Sequence, residues 1–395
     1  MLKNKYDVIV VGAGPAGSTA ARFAAAGGIS VLMLEKDRDV GYPVRCAEAV
    51  SHNVLQFIKP DRKWIATILK GFRFVAPNGK SFVLRPIGVG YVLERRLFDI
   101  ELAKLAVNRG AEIITKTYVY DLLKDDTGKT IGVKALIKNN PVEIHSDIVV
   151  GADGVEARVG KWAGIDTASS IHDMDSCAQM TILGIDVEQD ILEFYFGENV
   201  SPGGYAWVFP KGNKTASVGL GITVEKAKKK SARRYLQEFV ERKYPNAAVL
   251  SEIAGGVPCA KTCNTLVKNN VMLVGDAGHQ VNPVSGGGIE SGMVGGMIAG
   301  QVAAEAIKQD DFSRLPEYEI RWQKRLGTQH EINYNIREAI LSFSDETLNN
   351  IVEGALEIPQ NERSFERILR KALWNKPSIL IEITKLSVSS NTNFS

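Results

Sequence analysis

The sequence predicts an α/β fold in which a parallel-sheet lobe opens the chain, a second lobe is built on an antiparallel sheet, and a helical segment follows. Three observations lead to this prediction. A β-branched run at residues 8–11 enters a glycine-rich turn and a helix of small residues. Residues 171–257 lose helical periodicity and read as successive strands, and residues 311–386 regain helical spacing.

The turn after the first strand carries a G-x-G-x-x-G motif formed by Gly12, Gly14 and Gly17. Gly12 permits the sharp turn, Gly14 lets the backbone approach a pyrophosphate, and Gly17 lets helix and strand pack closely. The open N–H groups and the positive end of the helix then face the phosphates. The next strand, at 30–35, ends in Glu35, which is placed to accept hydrogen bonds from ribose hydroxyls. The motif therefore predicts a Rossmann-like dinucleotide-binding unit.

The composition is that of an ordinary globular protein, with 45% hydrophobic and 24% charged residues in a chain of 395. A net charge of +3 is too small to indicate a nucleic-acid partner. We expect neither a signal peptide nor a spanning helix, because the first strand begins at once and no long apolar run follows. Four cysteines are too few for a disulfide scaffold, which favours a reduced, cytoplasmic protein. Cys259 and Cys263 leave one bridge open as a possibility, and no metal site is expected.

A loop rich in turn residues follows the second strand and carries Arg45, Cys46 and Glu48. From the residues alone it is either a surface loop with an incidental thiol or a loop that reaches over a cofactor. Arg95 stands near the start of a helix predicted at 98–108. A basic residue is unfavourable there, so it indicates either an anionic partner or a solvated arginine.

Short strands fill the rest of the first half. Pro-Asn-Gly at 77–79 predicts a hairpin within residues 64–93. An antiparallel meander is expected between 112 and 145, and a strand at 147–151 then enters a second glycine turn, Gly-Ala-Asp-Gly at 151–154. Such a turn lies close to a nucleotide when its strand shares a sheet with the first motif.

In the second half, strands are predicted at 177–185, 191–196, 205–210 and 216–222, and we expect them to form one sheet. Tyr205, Trp207 and Phe209 alternate along the third strand and therefore share one face. Spacing alone leaves that face as either core or the lining of a cavity. A helix is expected at 225–244. Its basic run at 226–234 is either a solvated face or a contact with an anionic lipid surface.

A buried strand at 271–279 ends in Gly275 and Asp276. Asp276 is a candidate acceptor for ribityl hydroxyls. The glycines at 286–288 allow the next helix, predicted to about residue 307, to point its positive end at a flavin ring, where it stabilises negative charge. Glycines spaced by four along that helix predict close packing in a buried position.

Three separated segments together resemble the FAD-binding set of the p-hydroxybenzoate hydroxylase-like flavoproteins: the first glycine turn with Glu35, the turn at 151–154, and Gly275-Asp276 with the proline and glycines that follow. Within that fold, Arg-Cys-Ala-Glu at 45–48 and Tyr-Ala-Trp-Val-Phe-Pro at 205–210 are similar to the geranylgeranyl reductase family. The match of the whole chain is to archaeal members. The resemblance implies an FAD-dependent reductase that saturates the geranylgeranyl chains of archaeal glycerophospholipids.

The resemblance also implies site residues. Cofactor contacts are expected from Gly12, Gly14, Pro15, Ala16, Gly17, Glu35, Lys36, Arg45, Cys46, Ala47, Arg95, Gly275, Asp276, Pro283, Gly286, Gly287, Gly288 and Ile289. The prenyl chain is expected to contact Tyr205, Trp207, Phe209 and Pro210. Catalysis is expected from Cys46, Tyr205 and Trp207. The proton donor stays open among Cys46, Tyr205 and a water molecule.

An isolated alkene needs a hydride donor on one face and a proton source for the other carbon, and reduced FAD supplies the hydride. The chain has no second G-x-G-x-x-G motif and no cysteine cluster, so electrons are expected from NAD(P)H or from an electron-donor protein such as reduced ferredoxin. The substrate is expected to be drawn from a bilayer by a cytoplasmic, peripherally membrane-associated enzyme, with 226–234 and 379–386 as candidate contacts. Two alternatives stay open: an FAD-dependent aromatic hydroxylase or halogenase of the same fold, and a non-catalytic flavin-binding protein.

The expected domains are discontinuous. The FAD-binding domain is expected to comprise residues 1–63, 94–168 and 265–310. The substrate-binding β domain is expected at 64–93 and 169–264, the C-terminal helical region at 311–386, and a polar tail at 387–395.

Overall fold

The computed structural model describes residues 3–372, so the apolar segment predicted at 379–386 and the tail at 387–395 lie outside the described residues. The strands are β1 (Lys5–Val11), β2 (Val31–Leu34), β3 (Ala49–Ser51), β4 (Ile65–Leu69), β5 (Gly71–Val75), β6 (Ser81–Leu84), β7 (Gly90–Leu93), β8 (Glu112–Ile114), β9 (Thr117–Lys124), β10 (Thr130–Ile137), β11 (Asn140–Gly151), β12 (Met174–Leu183), β13 (Ile191–Tyr195), β14 (Tyr205–Pro210), β15 (Thr215–Thr223), β16 (Ala248–Pro258), β17 (Val267–Lys268) and β18 (Val271–Leu273). The α-helices are α1 (Pro15–Ala26), α2 (Arg95–Val107), α3 (Arg158–Ala163), α4 (Val224–Ala227), α5 (Ala232–Lys243), α6 (Ile289–Gln309), α7 (Glu317–Trp322), α8 (Thr328–Leu341), α9 (Asp345–Leu356) and α10 (Phe365–Ala372).

Two compact units divide the chain, and each is assembled from three segments. The first unit comprises the chain up to Val44, Arg95–Ala168 and Ala260–His330. The second comprises Arg45–Glu94, Ser169–Cys259 and the segment that starts at Glu331. Residues 45–63, which the sequence grouped with the first lobe, belong to the second unit, because β3 pairs with β7 there.

The first unit is built on a sheet with the strand order β17-β18-β11-β1-β2-β8. β1 is parallel to both β2 and β11, and β18 is parallel to β11. The strands β9 and β10 form the predicted antiparallel meander on β11. Because parallel strands end at the same edge, the turns after β1, β2, β11 and β18 meet there, which is where such sheets bind ligands. The predicted α/β fold is confirmed.

Helix α6 packs against α1 through its stripe of glycines. A Cβ atom at Gly296 would overlap the carbonyl oxygen of Ala16, and one at Gly300 would overlap that of Ala20. At Gly292 a Cβ atom would lie 3.2 Å from the Cα atom of Gly275. This approach requires residues without side chains. The prediction of a buried helix is confirmed, and α1 is the neighbour that the glycines meet.

The second unit contains a seven-stranded sheet with the order β16-β12-β15-β14-β13-β5-β6. Its neighbours are antiparallel except β13 and β5, which are parallel. Alternation along the strands gives the sheet two faces. One, the helix-covered face, packs apolar side chains of β12, β14 and β15 against Leu236, Phe239 and Val240 of α5. The other, the aromatic face, carries Trp207 and Phe209. A separate three-stranded sheet has the order β3-β7-β4.

Two predictions for this unit need correction. The single helix expected at 225–244 is wrong: α4 ends at Ala227 and α5 begins at Ala232. Ser231 starts the second helix because its hydroxyl accepts a hydrogen bond from the backbone N–H of Arg234. The strand β16 was not predicted. It is an edge strand with mostly exposed side chains, so it lacks the apolar alternation by which a strand is recognised in a sequence.

Candidate active site

The glycine turn of the first unit has the geometry that its motif predicts. Gly12 has φ of +102°, and a Cβ atom there would overlap the carbonyl oxygen of Ala152. A Cβ atom at Gly17 would overlap the carbonyl oxygen of Gly12. Gly14 precedes α1 as its N-cap, Pro15 opens the helix, and no atom lies within 4 Å of a Cβ atom built on Gly14. The backbone at Gly14 therefore stays open for the close approach of a ligand.

Glu35 stabilises this turn by hydrogen bonds and also lines a cleft beside it. Its Oε2 atom accepts a hydrogen bond from the N–H of Ala13 at 2.9 Å, and Oε1 accepts one from the N–H of Asp37 at 2.9 Å. Glu35 also lines a cleft of about 140 Å³ together with Gly14 and Arg95. The sequence suggested a contact with a ribose, and the support it gives the glycine turn was missed.

Arg95 is ordered by an acidic residue of its own helix. Its Nε and Nη2 atoms donate to Oδ1 and Oδ2 of Asp99, each at 2.8 Å. The two side chains are 14% and 3% exposed. A bidentate pair of this kind fixes the plane of the guanidinium group. The i,i+4 spacing in the sequence was the signal that would have found Asp99.

Asp276 lies where the glycine loop before α6 meets the end of β18. A Cβ atom at Gly288, the N-cap of α6, would lie 2.8 Å from its Oδ1 atom. Burial raises the pKa of Asp276, and the positive charge of Arg95 opposes that rise. Gly286 has φ of +66°, a conformation that favours glycine. Pro283 is buried and Ile289 begins the helix.

Asp153, in the second glycine turn, has a buried oxygen without a partner. Its Oδ2 atom accepts from the N–H of Val159 at 3.0 Å, whereas no group in the described part of the chain bonds to Oδ1. Burial raises the pKa of this carboxyl group. A buried acceptor of this kind is expected to have a partner, so Asp153 is a candidate to bond a ligand or a water at the sheet edge.

In the second unit, the aromatic side chains of β14 share one face, as predicted. Phe194 packs edge-on against Tyr205 and Phe209, with ring centroids 5.4 and 5.5 Å apart. The indole of Trp207 lies over Gly219, where a Cβ atom would overlap it. Pro210, which we also predicted to contact substrate, pairs with Ala216 and falls on the helix-covered face.

A row of small residues crosses this face beside Tyr205. Tyr205 pairs with Gly221, Gly221 with Cys177, and Cys177 with Gly255. A Cβ atom at Gly255 would have no atom within 4 Å. Burial raises the pKa of Tyr205, and nearby acidic groups add to the rise, so the phenol keeps its proton. The row is open at Gly255, and the phenol of Tyr205 on the same face is half-buried.

The loop at 45–48 is tied to the end of β14 by a buried ion pair. Lys211 Nζ lies 2.7 Å from Oε2 of Glu48, and these side chains are 9% and 5% exposed. Cys46 is half-buried, and its Sγ atom accepts from the N–H of Glu48 at 3.2 Å. Ala47 packs against the aromatic cluster. The pair joins the two motifs that the sequence singled out separately, and the role of Lys211 was missed.

Other predicted residues have more peripheral positions. Arg45 and Lys36 are exposed, and Lys36 bonds to Asp37 at 3.1 Å. All four cysteines are free thiols. Within residues 3–372, we find no helix that is both long and apolar enough to cross a membrane.

Comparison with known proteins gives the family. A model of the geranylgeranyl reductase catalytic domain matches residues 173–257, and a model of an NAD(P)-binding Rossmann-like domain matches residues 10–57. Digeranylgeranylglycerophospholipid reductase 1 of Methanococcoides burtonii is 40% identical, with 100% of each chain covered. The chain belongs to the digeranylgeranylglycerophospholipid reductase family. A second member, from Methanothrix thermoacetophila, is 40% identical over 97% of this chain and 99% of its own.

Solved structures agree with membership of the digeranylgeranylglycerophospholipid reductase family. A geranylgeranyl bacteriochlorophyll reductase-like protein of Thermoplasma acidophilum matches with a TM-score of 0.90 at 36% identity, over 97% of this chain and 99% of its own. The flavin-dependent brominase Bmp2, as a triple mutant, matches with a TM-score of 0.74 at 17% identity, over 98% and 100% of the chains, and shows a shared fold alone. The resemblance drawn from the sequence is confirmed.

Proposed function

We propose that this protein is an FAD-dependent reductase that saturates the carbon–carbon double bonds of geranylgeranyl chains in archaeal glycerophospholipids. The observation that carries the proposal is the buried pair between Glu48 and Lys211. It joins the Arg-Cys-Ala-Glu loop to the aromatic strand in a chain that aligns end to end with reductases named for this substrate. The alternatives of a hydroxylase, a halogenase or a non-catalytic protein have no observation of this kind.

The residues of the first unit fit FAD. Gly14 offers an open backbone at a helix N-terminus for a pyrophosphate, Glu35 lines the cleft beside it for a ribose, and Asp276 is a half-buried acceptor for the ribityl chain. The glycines before α6 leave the positive end of that helix open to the ring system. When bound and reduced, FAD supplies a hydride equivalent from its N5 atom.

The aromatic face of the second unit is proposed to hold the prenyl chain. Tyr205, Trp207 and Phe209 present a rigid apolar wall, and Gly255 leaves space on the same face of the sheet. An alkene carries no charge or strong dipole, so the protein contributes orientation and the exclusion of water.

Two groups are proposed as proton donor for the second carbon, Tyr205 and Cys46. Tyr205 is half-buried with its pKa raised, so it holds its proton and donates it only to a strongly basic carbon. Cys46 is held by its loop, which Glu48 and Lys211 anchor. Single-turnover rates of Tyr205→Phe and of Cys46→Ser separate the two.

The proposal is tested by single-turnover oxidation. Enzyme reduced anaerobically is mixed with geranylgeranyl phospholipid, and the flavin spectrum and product mass are followed. The proposal expects the yellow spectrum to return while the lipid gains two hydrogens per double bond. Enzyme that oxygen reoxidises but lipid does not would refute it. Repeating the reduction with NAD(P)H or with reduced ferredoxin identifies the external donor.

Contact with a membrane surface is part of the proposal. Lys226, Lys230, Arg233 and Arg234 of the basic run have carboxylate partners. Lys228 and Lys229 are exposed and have no carboxylate partner in the described part of the chain. Flotation with anionic and neutral vesicles, using Lys228→Gln/Lys229→Gln, tests whether this run binds lipid.

A further inference from the structure

We propose that a cavity on the helix-covered face of the second sheet binds a phosphate group. The cavity has a volume of about 520 Å³, and its lining includes Arg73, Ser81, Glu193, Tyr195, Lys243 and Arg363. Three of these six side chains are cations and one is a carboxylate. The cavity lies wholly within the second unit.

Strand register separates this cavity from the aromatic face. Phe194 pairs with Trp207, so the two side chains share the aromatic face. Glu193 and Tyr195 flank Phe194 in β13 and therefore point to the opposite face. Arg73 pairs with Glu193 and shares its side. A ligand in this cavity is thus distinct from a prenyl chain on the aromatic face.

The carboxylate in the cavity is already neutralised. Oε1 of Glu193 lies 2.5 Å from Nη1 of Arg73, and its Oε2 atom accepts a hydrogen bond from the hydroxyl of Tyr195. The Nη2 atom of Arg73 donates to Glu188 at 2.6 Å. These bonds occupy both oxygens of Glu193, so the carboxylate attracts Lys243 by its charge without a direct bond to it.

Lys243 and Arg363 are the two other cations of the cavity. Lys243 ends α5, and its Nζ atom lies 4.6 Å from the ring centroid of Tyr195. The Nε atom of Arg363 donates to the carbonyl of Ile358 at 2.9 Å, which leaves its two Nη atoms. Neither cation has a carboxylate within salt-bridge distance among the side chains that the structure describes. The two therefore bring two positive charges to one cavity.

This set of donors matches a tetrahedral oxyanion. The guanidinium of Arg363 offers two parallel N–H groups for bidentate contact with phosphate oxygens. Lys243 offers a compact charge from α5, and the hydroxyl of Ser81 offers a neutral donor from β6. Because these groups come from three separate elements, they suit an anion with oxygens in several directions better than a planar carboxylate.

The same chemistry has two sources, a free phosphate and the headgroup of an anionic lipid. Titration calorimetry at low salt with inorganic phosphate measures the first. Flotation with vesicles of phosphatidylcholine, with and without phosphatidylglycerol, measures the second. The variant is Lys243→Gln/Arg363→Gln, and Lys243→Arg/Arg363→Lys retains the charges. The control is Arg242→Gln, which removes a neighbouring exposed cation of the same helix.

We expect phosphate or phosphatidylglycerol vesicles to bind wild type and the control alike, with affinity lowered about tenfold or more in the double glutamine variant. The charge-retaining variant should recover part of the affinity, because it keeps both charges but loses the bidentate contact of Arg363. Binding of vesicles alone assigns the site to a lipid headgroup, and binding of inorganic phosphate assigns it to a soluble ligand. Absence of both, or equal binding by the double glutamine variant, would overturn the proposal. Circular dichroism of each variant checks folding, and lipid-dependent oxidation should be unchanged.

Discussion

The pair between Lys211 and Glu48 makes an asymmetric prediction about stability. Lys211→Met removes the cation that lies 2.7 Å from the buried Glu48 carboxylate. Glu48→Gln leaves Lys211 with a second acidic partner, Glu94, at 3.3 Å. Removing the cation of a buried pair costs about 3–5 kcal/mol, whereas losing one charged hydrogen bond costs about 1.5–3 kcal/mol. We therefore expect Lys211→Met to lower the free energy of unfolding more than Glu48→Gln does.

Urea unfolding followed by far-UV circular dichroism measures both variants. A matched control is the exposed pair of Lys80 and Glu353, with the same kind of contact at 2.8 Å but with side chains 58% and 43% exposed. Because exposed pairs contribute about 0–1 kcal/mol, Lys80→Met should have little effect. The double variant Glu48→Gln/Lys211→Met should cost less than the sum of its single changes.

The local consequence is visible at Cys46. Its Sγ atom accepts the Glu48 N–H, so loss of the ion pair should loosen the loop and speed alkylation of this thiol. Peptide mass spectrometry after a timed maleimide reaction distinguishes Cys46 from Cys177, Cys259 and Cys263. Unchanged labelling together with a smaller stability loss for Lys211→Met than for Glu48→Gln would refute the assignment of this pair as the anchor of the loop.

Three further predictions follow from particular contacts. Gly219→Ala should displace the indole of Trp207 and slow lipid-dependent oxidation about tenfold or more while leaving bound flavin unchanged. A rate of lipid-dependent oxidation in Gly219→Ala equal to that of wild type would contradict the reasoning. Gly14→Ala should weaken FAD binding with little change in melting temperature. Gly17→Ala should lower both the FAD affinity and the melting temperature, because its Cβ atom would overlap the Gly12 carbonyl. A normal FAD content in either variant would contradict the assignment of this turn to FAD binding. Burial lowers the pKa of His330 to about 4 in the folded protein, whereas the pKa of this side chain in the unfolded chain is about 6.5. The neutral ring therefore contributes to stability above pH 6.5. This contribution, about 3 kcal/mol at most, is lost as the pH falls from about 6.5 to 4. Urea unfolding at several pH values should show a shallower slope in His330→Asn, and an unchanged slope would refute the role of this histidine.

The glycine turn was predictable because its determinants are local. A strand, three glycines and a helix follow one another within residues 5–26, so the residues that determine this turn are neighbours in the sequence. The pair between Glu48 and Lys211 was not predictable, because its partners are 163 residues apart and lie next to strands of two different sheets. The break before α5 depends on a single capping serine inside a run of good helix formers, and propensity averaged over that run conceals it.

Alternation along the strand predicted which side chains form the aromatic face. It could not predict whether that face is part of the core or the wall of a ligand site, because both give the same alternation. Glycines on the same face help to distinguish the two. Gly219, Gly221 and Gly255 stand in strand interiors, where glycine weakens a sheet. Of these, Gly219 is filled by the indole of Trp207, whereas Gly255 has no atom near its missing side chain. Packing against the indole of Trp207 accounts for Gly219. Gly255 is exposed on the edge strand β16 and leaves that end of the face accessible from outside the chain, as a face that admits a ligand requires.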